Sequence, residues 1–175
     1  LPFLNETNGL DFSKRIDSLT VSGHKFFGIP FPSGIFLTKK QQPFEFSKKD
    51  RTPGYIGSVD TTISGSRNGQ LAIYLATLIE QRGPEGFTAD ARQCIENAKY
   101  LFNLLNEIGG YEPFLNKNSN IVSFKKPSRQ IMDRWQLAPD SDTGPRVHVV
   151  VMPHVTKETI ELFASEITSK KTAKV

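Results

Sequence analysis

At 175 residues the chain has room for one domain or two small ones. Its net charge of +4 comes from scattered Lys and Arg plus a tail of Lys170, Lys171 and Lys174; without a basic stripe interleaved with aromatics, this argues against nucleic-acid binding. No apolar run is long enough to span a bilayer, and the single cysteine, Cys94, excludes an internal disulfide and suits a reducing, cytoplasmic compartment.

Residues 1 to 16 read as connecting structure, with a turn cluster at Asn5-Glu6-Thr7-Asn8-Gly9 and isolated apolar anchors at Phe12 and Ile16. A short strand is predicted over Leu19 to Val21, then a polar turn, Ser22-Gly23-His24-Lys25. A Pro/Gly-rich bend follows, and a second strand over Ile35 to Thr38. Such a strand end delivers a hydroxyl, an imidazole and an amine to one spot. Gly23 lets the backbone come close to whatever sits there. A deprotonated lysine amine in that position is a nucleophile toward a carbonyl. The ordinary alternative is a solvated turn lysine. Lys39 to Thr52 is polar and basic and reads as a surface loop, closed by the turn signal Pro53-Gly54.

The second chemical stretch is residues 55 to 69. Thr61, Thr62, Ser64 and Ser66 are hydroxyls in a Gly-punctuated loop, Arg67 follows, and a helix is predicted from about Asn68 with Leu71, Leu75, Leu78 and Ile79 at helical spacing. Hydroxyls and backbone N–H groups just before a helix suit an anion, because the helix N-terminus carries partial positive charge. An ordinary Ser/Thr cap is the plainer reading, and Arg67 reads as structural.

Gly83-Pro84 is expected to end that helix. A second helix is predicted from about Thr88 to Ile108, with Ala91, Cys94, Ile95, Ala98, Leu101, Phe102, Leu105 and Ile108 as its core stripe and Asp90 in its first turn. Cys94 belongs to that stripe, so it reads as packing rather than as a reactive thiol. Gly109-Gly110 stops the helix.

The remainder reads as a small α/β layer: a strand over Asn120 to Phe124, a short helix over Pro127 to Leu137, a polar loop over Pro139 to Pro145, a strand over Val147 to Met152, and a last helix capped by Thr156 with Ile160, Phe163, Ala164 and Ile167 as its face. His148 and His154 flank the later strand. No third ligand suggests itself, so neither is assigned to a metal.

Four segments carry a resemblance. They are Asp17-Ser18-Leu19-Thr20-Val21-Ser22-Gly23-His24-Lys25-Phe26, Gly28-Ile29-Pro30-Phe31-Pro32-Ser33-Gly34, Ser58-Val59-Asp60-Thr61-Thr62-Ile63-Ser64-Gly65-Ser66-Arg67-Asn68-Gly69 and Asn116-Lys117-Asn118-Ser119. In order and spacing the chain resembles, over nearly its whole length, the group II pyridoxal-phosphate decarboxylases, above all bacterial histidine decarboxylases and the related serine decarboxylases. Ser33 departs from the Cys of many relatives, a small-for-small change.

The resemblance implies an α/β chain of fold-type I. Residues 1-82 would be the C-terminal part of the large, cofactor-binding domain and residues 83-175 a small C-terminal α/β domain. It implies pyridoxal 5'-phosphate as cofactor, held by Lys25, with Ser22 and His24 placed for its phosphate. Ser66, and next Ser64, would reach the phosphate bound by the other subunit, which implies a homodimer with the site at the interface. Ser119 would line the substrate pocket.

The Asp-x-Ala motif of the family, which pairs the cofactor's ring nitrogen, and an earlier residue that stacks on the ring would both precede Leu1. The expected partner is therefore an N-terminal half, either cleaved from this chain or carried on a second one. The activity implied is decarboxylation of an L-amino acid to its amine, with L-histidine to histamine as the first reading. Serine or another small polar amino acid is the alternative. A catalytically inert fragment or regulatory partner is the reading from a different class; intact Lys25 and the hydroxyl loop argue against it. Alone, such a half would leave a large apolar face bare.

Overall fold

The computed structural model describes residues 3, 4, 12, 16–39, 67–141 and 143–172. The turn cluster at 5–9, most of the 39–52 loop, Pro53-Gly54 and the hydroxyl loop through residue 66 lie outside the described residues. The chain divides into two compact units: Gly9–Gln81, and Arg82–Val175 together with Leu1–Asn8.

In the unit Gly9–Gln81, β1 (Ser18–Ser22) pairs antiparallel with β2 (Gly34–Thr38), Val21 opposite Ile35 and Leu19 opposite Leu37. The intervening bend is held down by two apolar anchors, Phe26 and Ile29, both buried. The helix α1 (Gln70–Ile108) begins in this unit, where Asn68 caps it by accepting the Gln70 N–H on its side-chain oxygen at 3.0 Å. Leu71, Leu75 and Leu78 are half-buried, as their spacing predicts. Ile79, expected on the same face, is exposed, as are Ile73 and Tyr74. Tyr74 meets Phe31 with ring centroids 6.0 Å apart.

Gly83 is where α1 leaves helical geometry, at φ 60° and ψ −179°. Two local causes act there. A positive φ favours glycine, and a residue before proline is pushed out of the α region. Helical geometry then resumes at once, because Pro84 has its φ preset and needs no N–H at a first helical position. The second helical segment therefore starts earlier than Thr88. Thr88 sits inside it and donates its hydroxyl to the Pro84 carbonyl at 2.7 Å. Asp90 is consequently beyond the first turn, where it pairs with Arg82.

The other unit is built on a four-stranded antiparallel sheet in the order β3-β4-β6-β5. Its strands are β3 (Phe114–Leu115), β4 (Ile121–Lys125), β5 (Ala138–Pro139) and β6 (Arg146–Val150). The two-residue edge strands β3 and β5 were not legible in the sequence. β5 takes the start of the expected 139–145 loop. Side chains alternate across the sheet: Val122 and Phe124 of β4 and Val147 of β6 are buried, while Ile121 and Lys125 are exposed. The buried face packs against Ala98, Leu101 and Leu105 of α1, Ile131 of α2 (Arg129–Trp135), and Ile160, Phe163 and Ile167 of α3 (Lys157–Thr172). Cys94 lies buried on the α1 stripe, and burial pushes its thiol up to about 11.

The helix ends follow from capping. Ser128 accepts the Ile131 N–H, which sets the start of α2. Gln136 turns left-handed (φ 49°, ψ 44°) and ends it before Leu137. Thr156 accepts the Thr159 N–H at 3.3 Å and caps α3 as expected. Two buried amides hold the layers together: Asn97 donates to the Val155 carbonyl at 2.8 Å and Asn120 to that of Val151 at 2.9 Å. Among the described residues no helix is long and apolar enough to cross a membrane.

A polar cluster lies on the sheet face away from the helices. Asp140 accepts from His148 Nδ1 at 2.7 Å and from the Ser123 hydroxyl at 2.9 Å, and Arg146 donates to Ser123 at 3.0 Å. The hydrogen bonds from His148 and then Ser123 hold the Asp140 carboxyl below its ordinary 3.8. A carboxyl lowered in the folded state adds stability above its unfolded pKa and loses it as pH falls through the folded value. Asp140→Asn is therefore expected to lower the unfolding free energy at pH 6, by at most about 1 kcal/mol at this solvent-screened site. The gap between variant and parent should close below pH 3.8. A gap that persists into acid would contradict this account.

Candidate functional site

The turn after β1 gathers the candidate side chains. Ser22 ends the strand half-buried, and His24 and Lys25 follow on the exposed side of the turn. Backbone hydrogen bonds hold this turn without using those side chains. Gly23 N–H donates to the Ser33 carbonyl at 3.0 Å, Ile29 N–H to the Gly23 carbonyl at 3.1 Å, and Gly28 N–H to the Lys25 carbonyl at 3.1 Å. Phe26, directly after Lys25, is 8 % exposed and Ile29 3 %. The lysine thus stands on a turn whose other side is pinned into the small core.

Gly23 is required here by space. A Cβ at that position would stand 2.5 Å from Ser33 Oγ and 2.8 Å from Ile29 Cδ1. Ser33 Oγ is buried and, among the described residues, has no hydrogen-bond partner. His24 reaches across the bend to Ser33: its Nδ1 is 3.1 Å from Ser33 N and 3.1 Å from Ser33 O. Spacing along the sequence gives no hint of this contact, since nine residues and a bend separate the two.

The remaining candidates divide. Ser64 and Ser66 lie outside the described residues. Arg67 is exposed just before the Asn68 cap. Ser119 belongs to the other unit. It closes a turn in which its N–H donates to the Asn116 carbonyl at 3.2 Å, and Asn118 adopts a left-handed φ of 58°. Its Oγ accepts the Ile121 N–H at 3.1 Å, which leaves the hydroxyl proton available for donation. Asn120 fixes this turn to the sheet, since its side chain donates to Val151 O and its carbonyl accepts Val151 N–H at 2.8 Å. Of the two strand-flanking histidines, His148 is engaged by Asp140 and His154 is exposed.

No family model matches the chain. It is 39 % identical over 171 residues to serine decarboxylase 2 of Oryza sativa subsp. japonica, covering 97 % of this chain and 35 % of that protein. It is equally 39 % identical over 155 residues to the histidine decarboxylase of Vibrio campbellii, covering 89 % of this chain and 38 % of that protein. The chain thus spans well under half the length of these relatives. Among solved structures it is similar to an L-methionine decarboxylase from Streptomyces sp. 590. The TM-score is 0.76 at 30 % identity, over 88 % of this chain and 32 % of that one.

Proposed function

The chain belongs to the group II pyridoxal-phosphate decarboxylases, with their α/β, fold-type I architecture, and on that premise we propose that it carries the cofactor-binding lysine of an L-amino-acid decarboxylase. The observation that carries this reading is the exposed Lys25 amine beside His24, on a turn pinned from behind by Phe26 and Ile29.

The donor set on this turn fits pyridoxal 5'-phosphate. Lys25 offers an amine for the aldehyde, and Ser22 and His24 offer a hydroxyl and an imidazole for the phosphate. No side chain between Asp17 and Lys39 is a carboxylate. Gly23 leaves the backbone bare between those groups. When bound, the cofactor supplies the electron sink for the pair left on Cα as CO2 departs.

This chain's own residues supply position. Lys25 attacks only as the neutral amine, and its fixed backbone keeps that amine within one side-chain length of the turn, which raises its effective concentration at a bound carbonyl. In this reading Ser66 and Ser64 reach the phosphate of a second subunit and Ser119 offers its hydroxyl proton at the substrate side. Residues 1-82 act as the end of the large domain and 83-175 as the small one. The rest of the enzyme, about the length the relatives have beyond this chain, supplies the ring-stacking and ring-nitrogen partners. It also covers the apolar side chains left exposed in the unit Gly9–Gln81, among them Phe36, Ile73 and Ile79.

Histidine is the substrate of first choice and serine the alternative; equal identity to both kinds of relative does not separate them. The test is borohydride reduction of the enzyme that contains this chain, followed by peptide mapping and by amine release from each amino acid. A pyridoxyl-phosphate group on Lys25, with histamine formed from L-histidine, is the expected result. An adduct on another lysine would remove Lys25 from its role, and amine from L-serine alone would move the substrate to the alternative.

A further inference from the structure

Ser33 makes three contacts back onto the lysine turn. Its carbonyl accepts the Gly23 N–H at 3.0 Å. Its own N–H lies 3.1 Å from His24 Nδ1. Its Oγ sits against Gly23 so closely that a Cβ there would meet it at 2.5 Å. Because Nδ1 is also 3.1 Å from the Ser33 carbonyl oxygen, geometry alone allows the ring nitrogen to accept or to donate.

The partners decide between the two. The Ser33 carbonyl already has a donor in Gly23, whereas among the described residues the Ser33 N–H has Nδ1 as its recorded acceptor. The Ser33 N–H points at Nδ1 at 3.1 Å, and a proton on Nδ1 would set two N–H groups facing each other and remove that hydrogen bond. Nδ1 therefore accepts, and in the neutral ring the proton sits on Nε2.

We propose that the Ser33 backbone is a positioning group that fixes His24 as an Nε2–H donor beside Lys25, aimed at the phosphate of the bound cofactor. This deepens the cofactor reading of the turn and rests on it. It also gives Ser33 a role that its side chain does not disclose, because the group doing the positioning is a main-chain amide. A change of Ser33 to another small residue leaves that amide in place.

Two substitutions separate the ring nitrogens. His24→Asn places a carboxamide oxygen near Nδ1 and nothing at Nε2; His24→Gln places an amide N–H near Nε2 and nothing at Nδ1. The readouts are the thermal midpoint and the affinity of the cofactor-free enzyme for pyridoxal phosphate relative to pyridoxal, which lacks the phosphate. His24→Asn should keep the parent midpoint and lose roughly tenfold or more of the preference for pyridoxal phosphate, the worth of a charge-assisted hydrogen bond. His24→Gln should keep most of that preference and lower the midpoint.

Long-range proton–nitrogen spectra of the parent should show Nδ1 as the bare nitrogen and Nε2 as the protonated one. Retained preference in His24→Asn, or a protonated Nδ1 in the parent, would overturn the positioning role while the cofactor reading stands. A parent enzyme that binds pyridoxal and pyridoxal phosphate equally would remove the cofactor reading and this inference with it.

Discussion

Lys25→Ala is expected to abolish amine formation by the enzyme that contains this chain, with a loss on the order of 10^4-fold or more, the scale of removing a positioned nucleophile. The structure separates this effect from unfolding. The Lys25 side chain is exposed, and the turn is held by main-chain hydrogen bonds from Gly23, Gly28 and Ile29 and by the buried Phe26 and Ile29. An alanine at position 25 keeps every one of those contacts, so the thermal midpoint of the cofactor-free variant should match that of the parent. Lys25→Arg sharpens the test. It keeps the charge, but the guanidinium does not deprotonate and cannot attack a carbonyl. It should therefore be as inactive as the alanine variant. Turnover in either variant above the background given by free pyridoxal phosphate would sink the assignment of Lys25, and with it the proposed function.

The largest stability loss is expected at Phe124. This ring is fully buried at the centre of the unit that contains the four-stranded sheet. It meets Tyr111 edge-on at 6.4 Å and Phe163 at 6.0 Å, and Phe163 in turn meets Trp135 at 5.2 Å. Trp135 is tied at its other end, because its Nε1 donates to Glu166 at 3.0 Å while Arg134 pairs with the same carboxylate at 2.7 Å. Sheet, α2 and α3 are therefore joined through one run of rings. Truncation at Phe124 removes the ring's transfer free energy and leaves a cavity, at a cost of about 3–5 kcal/mol. For a chain of this size that corresponds to a fall of roughly 6–20 °C in its thermal midpoint. Phe124→Leu, which keeps most of the volume, should lose less than half as much. A midpoint that Phe124→Ala leaves unmoved would show that the ring run is not what joins these elements.

Much of this is written in short-range chemistry. The stripe from Ala91 to Leu105 follows from a 3.6-residue period, and the structure buries its predicted members, with Phe102 and Ile108 half-covered. Thr156 announces α3 because a hydroxyl before an amphipathic run satisfies a helix N–H. Gly23 next to a histidine and a lysine marks a tight turn, and that turn is present. Each of these depends on residues within about one helical turn or one strand of each other, so the order of residues is enough to find them.

Other features have no local signature. β3 and β5 are two residues long; they exist because β4 and β6 offer them hydrogen-bonding edges, and no periodicity can appear in two residues. Ile79 has the spacing of a core residue and is exposed, since spacing names a face but not what covers it. The Asp140–His148–Ser123 cluster joins three segments that only sheet pairing brings together.

At the candidate site the division is the same. The order of residues was enough to locate the tight turn and the three side chains it carries, Ser22, His24 and Lys25. Tertiary structure alone decided that Ser33 returns to seal Gly23 and to meet Nδ1 of His24, because a main-chain amide carries no residue identity and acts only where the fold puts it.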